Sequence, residues 1–136
     1  DRKTRLLFGN ENIPFSTVEA YKSFRTALSF VISTYDSRIV AMTSANPSEG
    51  KSVTVANLAV AVAQTDKKVL LIDADMRKPV QHKCFRLSNK VGLSDVITGD
   101  KPLDKALNRN VTGSLDVLTS GTIPPPIPLS CWHPDR

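Results

Sequence analysis

From Ser16 to about Ser33 the apolar residues Val18, Tyr21, Phe24, Ala27, Leu28, Val31 and Ile32 return every three or four positions. That spacing predicts an amphipathic helix with Ser16 or Thr17 as its N-cap. The period then changes. Arg38-Ile39-Val40-Ala41-Met42-Thr43 is a short β-prone run ending in the small and turn-forming residues Ser44 to Gly50, and it predicts a strand followed by a loop. After Lys51 the residues Val53, Val55, Ala56, Leu58, Ala59, Val62 and Ala63 restore helical spacing with small side chains, to about Asp66. Val69-Leu70-Leu71-Ile72 is apolar without interruption, as expected of a parallel strand covered on both faces. Strand, helix and strand in that order form a crossover unit, right-handed in nearly all sheets.

Beyond Pro79 the pattern weakens. Gly92–Ile97 and Leu103–Leu107 read as short helical pieces, and Leu115-Asp116-Val117-Leu118 as a third strand. The proline cluster from Pro124 to Pro128 can continue neither a sheet nor a helix. At the other end, Asp1–Asn12 are polar around Leu6-Leu7-Phe8 and have no periodicity to hold them. The expected organisation is an arm over residues 1–15, one α/β domain over 16–125 and a tail over 126–136.

The loop between the first strand and the second helix carries the chemistry. Ala45-Asn46-Pro47-Ser48-Glu49-Gly50-Lys51-Ser52 has the spacing of a phosphate loop, with Ala45 where the usual pattern has glycine. Gly50 would let the backbone approach phosphate closely, and N–H groups from Glu49 to Ser52 would point at it from the positive end of a helix dipole. Pro47, Ser48 and Val53 complete the expected contact set. Lys51 would supply a mobile cation for the outer phosphates, and the Ser52 hydroxyl a ligand for Mg²⁺. Asp73 and Asp75 follow the apolar strand directly, so they emerge at its carboxyl end, the edge where open α/β sheets bind ligands. Two acids there need a cation or a proton to meet. A solvated helix cap at Asp73 and an Asp75–Arg77 pair are the plainer alternative.

These residues resemble a known family. Ser44 to Ser52 and Leu70-Leu71-Ile72-Asp73-Ala74-Asp75-Met76-Arg77-Lys78-Pro79 look like the Walker A and Walker A′ motifs of the bacterial tyrosine kinases that regulate capsular and exopolysaccharide synthesis. Glu19-Ala20-Tyr21-Lys22-Ser23-Phe24-Arg25 resembles their Glu-x-x-Arg-x-x-Arg oligomerisation helix, with Lys22 in place of the first arginine. The likeness extends over Gly92–Ile97 and Leu115 to Pro125. It implies a P-loop NTPase-like three-layer αβα fold with a mainly parallel sheet. It further implies ATP and Mg²⁺ as cofactors, and catalytic roles for Lys51, Asp73 and Asp75. Ser52, Asp73 and Asp75 would lie at the metal, and Arg77 would add to the charge field. The implied partners are a transmembrane activator of polysaccharide export and further copies of the chain through Glu19, Lys22 and Arg25. The implied location is cytoplasmic, at the inner face of the plasma membrane. Cell-division and partitioning ATPases share the deviant loop but generally lack the Arg77-Lys78-Pro79 continuation and the Glu19–Arg25 helix. A non-catalytic nucleotide-binding or oligomerisation module is a further reading.

The resemblance also implies a Walker B strand and a tyrosine-rich tail beyond the prolines. The sequence has neither, only Tyr21 and Tyr35. With one permitted choice of codons, Pro126 to Asp135 read two bases out of step become Asn-Pro-Ser-Glu-Leu-Leu-Ala-Ser-Arg, the family's continuation. A frameshift near Pro125–Pro126 is therefore expected.

Composition adds little to this. The net charge of +5 is spread along the chain rather than gathered in a tail, so it predicts solvated lysines and arginines and no nucleic-acid site. Cys84 and Cys131 lack a Cys-x-x-Cys spacing and predict reduced thiols, and no metal constellation surrounds His82 or His133. No apolar run reaches the ~20 residues of a membrane span.

Overall fold

The computed structural model describes residues 13–35, 38–46 and 49–122. The expected arm over Asp1–Asn12, residues Pro47 and Ser48, and the tail with its prolines lie outside the described residues.

Helix α1 spans Phe15–Tyr35. It starts earlier than the spacing suggested because the Pro14 carbonyl accepts the first bonds, from the N–H groups of Thr17 at 2.9 Å and Val18 at 3.4 Å. Ser16 and Thr17 are therefore inside the helix and not its caps. Helix α2 spans Lys51–Ala63, preceded by Gly50 in the left-handed region at φ 85°. Its small residues Ala56, Ala59 and Ala63 let it lie close to the sheet, and with Val60 they bury against Leu71, Leu115 and Val117. Cys84 and Phe85 close the same core.

The sheet has three strands in the order β1-β3-β2: β1 is Val69–Ile72, β2 Leu107–Thr112 and β3 Leu115–Leu118. β1 and β3 pair in parallel, from Val69 opposite Leu115 to Ile72 opposite Leu118. β2 and β3 pair antiparallel around the two-residue turn Gly113-Ser114, so the sheet is mixed rather than mainly parallel. Between β1 and β2 lie three short helices: α3 (Gln81–Cys84), α4 (Leu93–Ile97) and α5 (Leu103–Ala106). α4 docks on the exit of β3, where the N–H groups of Leu93 and Ser94 donate to the carbonyls of Thr119 and Ser120 at 2.7 and 2.9 Å. The Asn89 amide clamps the same segment through both polar groups of the Gly121 backbone. A side chain at Gly92 would collide with the backbone of Thr119 and Gly121, so the glycine is what permits this approach.

Two expectations fail here. Residues 38–43 form no strand. Among the described residues β1 and β2 each pair with β3, and residues 38–43 join no ladder. Nor is β1 covered on both faces. Leu71 faces the α2 core, but Leu70 and Ile72 on the opposite face remain 48% and 47% exposed.

Candidate nucleotide-phosphate site

α2 begins at Lys51 and β1 ends at Ile72, and these two boundaries bring Lys51 and Asp75 to one edge of the domain. Lys51 Nζ lies 3.8 Å from Asp75 Oδ2, with both side chains about one-third exposed. A pair this long and this accessible adds little stability, and it leaves the ammonium free to turn toward an incoming anion. Gly50, at φ 85°, has open space where a side chain would project. An L-residue would be strained there, so the glycine sets the direction in which α2 leaves the loop. The loop before it is braced by its own side chains: Glu49 accepts from the Asn46 amide at 3.0 Å and from the Asn46 N–H at 3.3 Å. The Ser44 hydroxyl donates to the Asn46 carbonyl.

The two aspartates occupy different environments. Asp73 is buried, and its carboxylate accepts three backbone N–H groups, from Asp75 at 3.2 Å, Val80 at 3.1 Å and Gln81 at 3.0 Å. It therefore shapes the loop 73–81 and caps α3 across eight residues of sequence. Asp75 stands farther out. Its carboxyl is held below the usual carboxylate range chiefly by the Lys78 N–H; burial pushes the other way, and the Arg77 N–H and Lys51 add to the lowering. It is an anion at neutral pH facing a cation and open solvent. Arg77 is exposed one turn away.

One residue that sequence reasoning passed over completes the frame. Gln81 is buried, and its amide donates to the Ser52 carbonyl in the first turn of α2 at 3.0 Å. Nothing local in Pro79-Val80-Gln81 signals this, because the partners are 29 and 8 residues away. Nearby, burial pushes the Cys84 thiol up, aided by Asp73, and pushes the His82 imidazole down. Both stay neutral at pH 7 and belong to the core side of the loop.

The structure brings Gly50, Lys51, Ser52, Val53, Asp73, Asp75 and Arg77 into one region, while Glu19, Lys22 and Arg25 sit apart on α1. Lys22 pairs with Glu19 at 2.8 Å on the exposed side. Arg25 instead turns inward and donates to the Ala61 carbonyl of α2 at 3.0 Å. Among the described residues no helix is long and apolar enough to cross a membrane.

Comparison with known proteins agrees with this layout. The model of the CobQ/CobB/MinD/ParA nucleotide binding domain matches residues 40–112. The tyrosine-protein kinase YwqD of Bacillus subtilis is 50% identical over 107 residues, 79% of this chain and 45% of that protein. The tyrosine-protein kinase etk of Escherichia coli K12 is 38% identical over 143 aligned positions, 92% of this chain and 20% of its own length. The solved kinase domain of the Escherichia coli tyrosine kinase ETK superposes with a TM-score of 0.76 at 39% identity, covering 85% of this chain and 49% of that one. The chain spans less than half the length of these relatives. With its phosphate loop opening α2 and its paired aspartates leaving β1, it belongs to the CobQ/CobB/MinD/ParA nucleotide-binding family, and the relatives it resembles are named tyrosine kinases.

Proposed function

We propose that the Lys51–Asp75 edge binds the phosphates of Mg-ATP and that residues 16–125 are the N-terminal part of the P-loop kinase domain of a protein-tyrosine autokinase acting in capsular or exopolysaccharide export. The observation that carries this is the approach of Lys51 to Asp75 at 3.8 Å, across the N-terminus of a 13-residue helix. That end presents backbone N–H groups and a positive dipole to an anion, and a mobile ammonium stands beside them.

The residues fit Mg²⁺ of the kind held largely by nucleotide. Among the described residues no cluster of three or more His, Cys, Asp or Glu side chains could cage an ion. Mg²⁺ in phosphoryl-transfer sites takes one or two protein ligands and fills the rest with phosphate and water. Asp75 and the Ser52 hydroxyl are the pair to supply them, since Asp73 already spends its oxygens on three N–H groups. When bound, the ion neutralises charge on the phosphates. Lys51 would contact the outer phosphates, and Asp75 would orient an incoming tyrosine hydroxyl and accept its proton late, since that group's ordinary pKa is about 10. Asp73 would act as the support that fixes Asp75. Arg77, exposed on the same loop, would enlarge the positive field.

A membrane-embedded activator and self-assembly through Glu19, Lys22 and Arg25 follow from the same reading. Support comes from relatives named as tyrosine kinases, one of them a putative tyrosine-protein kinase in the cps region of Klebsiella pneumoniae. The cytoplasmic side of the plasma membrane is the matching location. Calorimetry with Mg-ADP and Mg-ATP on the chain and on Lys51→Met tests the site. Saturable binding lost in the variant supports it, and absence of binding in both refutes it. A nucleotide-binding module without phosphotransfer is the second reading, favoured by the burial of Asp73 among backbone donors. Transfer of phosphate to an added tyrosine peptide separates the two.

A further inference from the structure

Gln81 is 4% exposed and joins three parts of the site. Its N–H donates to Asp73 Oδ2 at 3.0 Å, which ties it to the carboxylate that also holds the N–H groups of Asp75 and Val80. Its side-chain amide donates to the Ser52 carbonyl at 3.0 Å. Its Oε1 is buried without a hydrogen-bond partner. The last fact separates Gln81 from an ordinary core residue. An orphaned buried acceptor costs free energy, and an apolar side chain of the same length would avoid that cost. The Ser52 carbonyl lies inside a helix, where the backbone ladder already serves it, so α2 does not need the extra bond to form. Stability thus gives no reason for an amide at this position. Geometry does: Gln81 Nε2 to Ser52 is a direct strut between the loop that carries Asp75 and the turn that carries Lys51 and Ser52.

We propose that Gln81 is a positioning residue that sets the separation between Ser52 and Asp75, and so determines how much Mg²⁺ strengthens nucleotide binding. The inference rests on the Mg-nucleotide reading of the site and goes beyond it in naming the residue that governs the metal's share. Phosphate contacts from Lys51 and the α2 N-terminus do not depend on where Asp75 stands, whereas a cation shared between Ser52 and Asp75 does.

The test is ADP affinity of the chain, measured by calorimetry with Mg²⁺ and again in EDTA, for the wild type, Lys51→Met and Gln81→Met, with a thermal melt of each. Gln81→Met keeps the side-chain length and removes the donor and the orphan oxygen. The expected result is an EDTA affinity within about twofold of wild type and a Mg²⁺-dependent gain reduced by about tenfold, the size typical of residues that orient metal ligands. Lys51→Met lowers affinity in both conditions. An unchanged Mg²⁺ gain in Gln81→Met overturns the proposal. So does a loss of both affinities together with a lowered melting temperature, which is the signature of a purely structural role. A wild-type chain that binds ADP in neither condition, yet melts cooperatively, instead refutes the nucleotide reading on which the inference stands.

Discussion

Lys51 and Asp75 show how a contact can be weak energetically and still define a site. At 3.8 Å, with both side chains about a third exposed, their attraction is screened by water and offset by the entropy of holding two side chains in place. Lys51→Met should therefore leave stability within about 0.5 kcal/mol of wild type, as for most surface changes. Loss of its charge-assisted phosphate bond should weaken nucleotide binding about ten- to hundredfold. A melt and a titration on the same sample separate the two effects. Asp75 makes a second prediction, about pH. Its carboxyl is depressed in the folded chain, above all by the Lys78 N–H. The stabilisation it contributes is complete above the unfolded aspartate pKa of about 3.9 and is lost as pH falls through its lower folded value. Asp75→Asn should flatten the acid limb of a melting-temperature profile below about pH 4, because it lowers the melting temperature in the neutral range and converges with wild type in acid. A profile as steep as that of wild type would contradict the assignment. That these side chains would meet at one edge was legible from spacing alone, because Gly50, Lys51 and the acids after β1 are local motifs. The different surroundings of Asp73 and Asp75 were not, since they depend on N–H groups that the chain folds back to supply from Val80 and Gln81.

At the level of elements, α1 and α2 are joined by a contact that serves both. The last carbonyls of a helix lack intrahelical partners and carry the negative end of its dipole. α2 has no basic residue in its last turn, and the Thr65 N–H bonds to Val62 rather than Ala61. Arg25 fills the gap from α1, with Nη1 on the Ala61 carbonyl. Arg25→Ala should cost about 1–2 kcal/mol, the range for a partly exposed hydrogen bond from a charged donor. Because α1 buries none of its residues, the loss should appear mainly as faster amide exchange in α1, with the β1 and β3 amides little affected. Equal acceleration in both would show that α1 and the sheet unfold as one unit. Elements with strong apolar patterns were readable from sequence: α1, α2, β1, β3 and α4. β2 was not, because Leu107-Asn108-Arg109-Asn110-Val111-Thr112 is polar and its ladder is broken by an irregularity between Asn108 and Thr112. Asn110 there adopts φ 51°. The one usable signal was the Gly113-Ser114 pair before a predicted strand, a two-residue hairpin turn. α3 was missed for a different reason. Its single turn is capped by Asp73 rather than by a neighbour, and no window of local sequence contains that partner.

For the whole molecule the consequence lies in the face of the sheet opposite α2. Leu70 and Ile72 stay half exposed there, and Ile39 is 88% exposed beside a Val40 at 50% in the segment that forms no strand. Leu70 and Ile72, beside an outer edge of β1 that has no ladder partner among the described residues, make a surface that favours pairing with another chain. The solved ETK kinase domain is about twice as long as the part this chain matches, so an equivalent face in a longer chain has material available to cover it. Residues 1–136 by themselves should associate. Sedimentation at several protein concentrations should show a mass that rises above the 14.9 kDa of the single chain, with little response to salt because the contact is apolar. Replacing Leu70 and Ile72 together by threonine keeps β-propensity while removing much of the apolar area. It should shift the distribution toward monomer without lowering nucleotide affinity, because neither residue faces the Lys51–Asp75 edge. A wild-type chain that stays monomeric at every concentration would mean that this face is satisfied within the chain. Association unchanged in the double variant would place the contact elsewhere, with the exposed Phe15, Phe30 and Tyr35 of α1 as the next surface to alter.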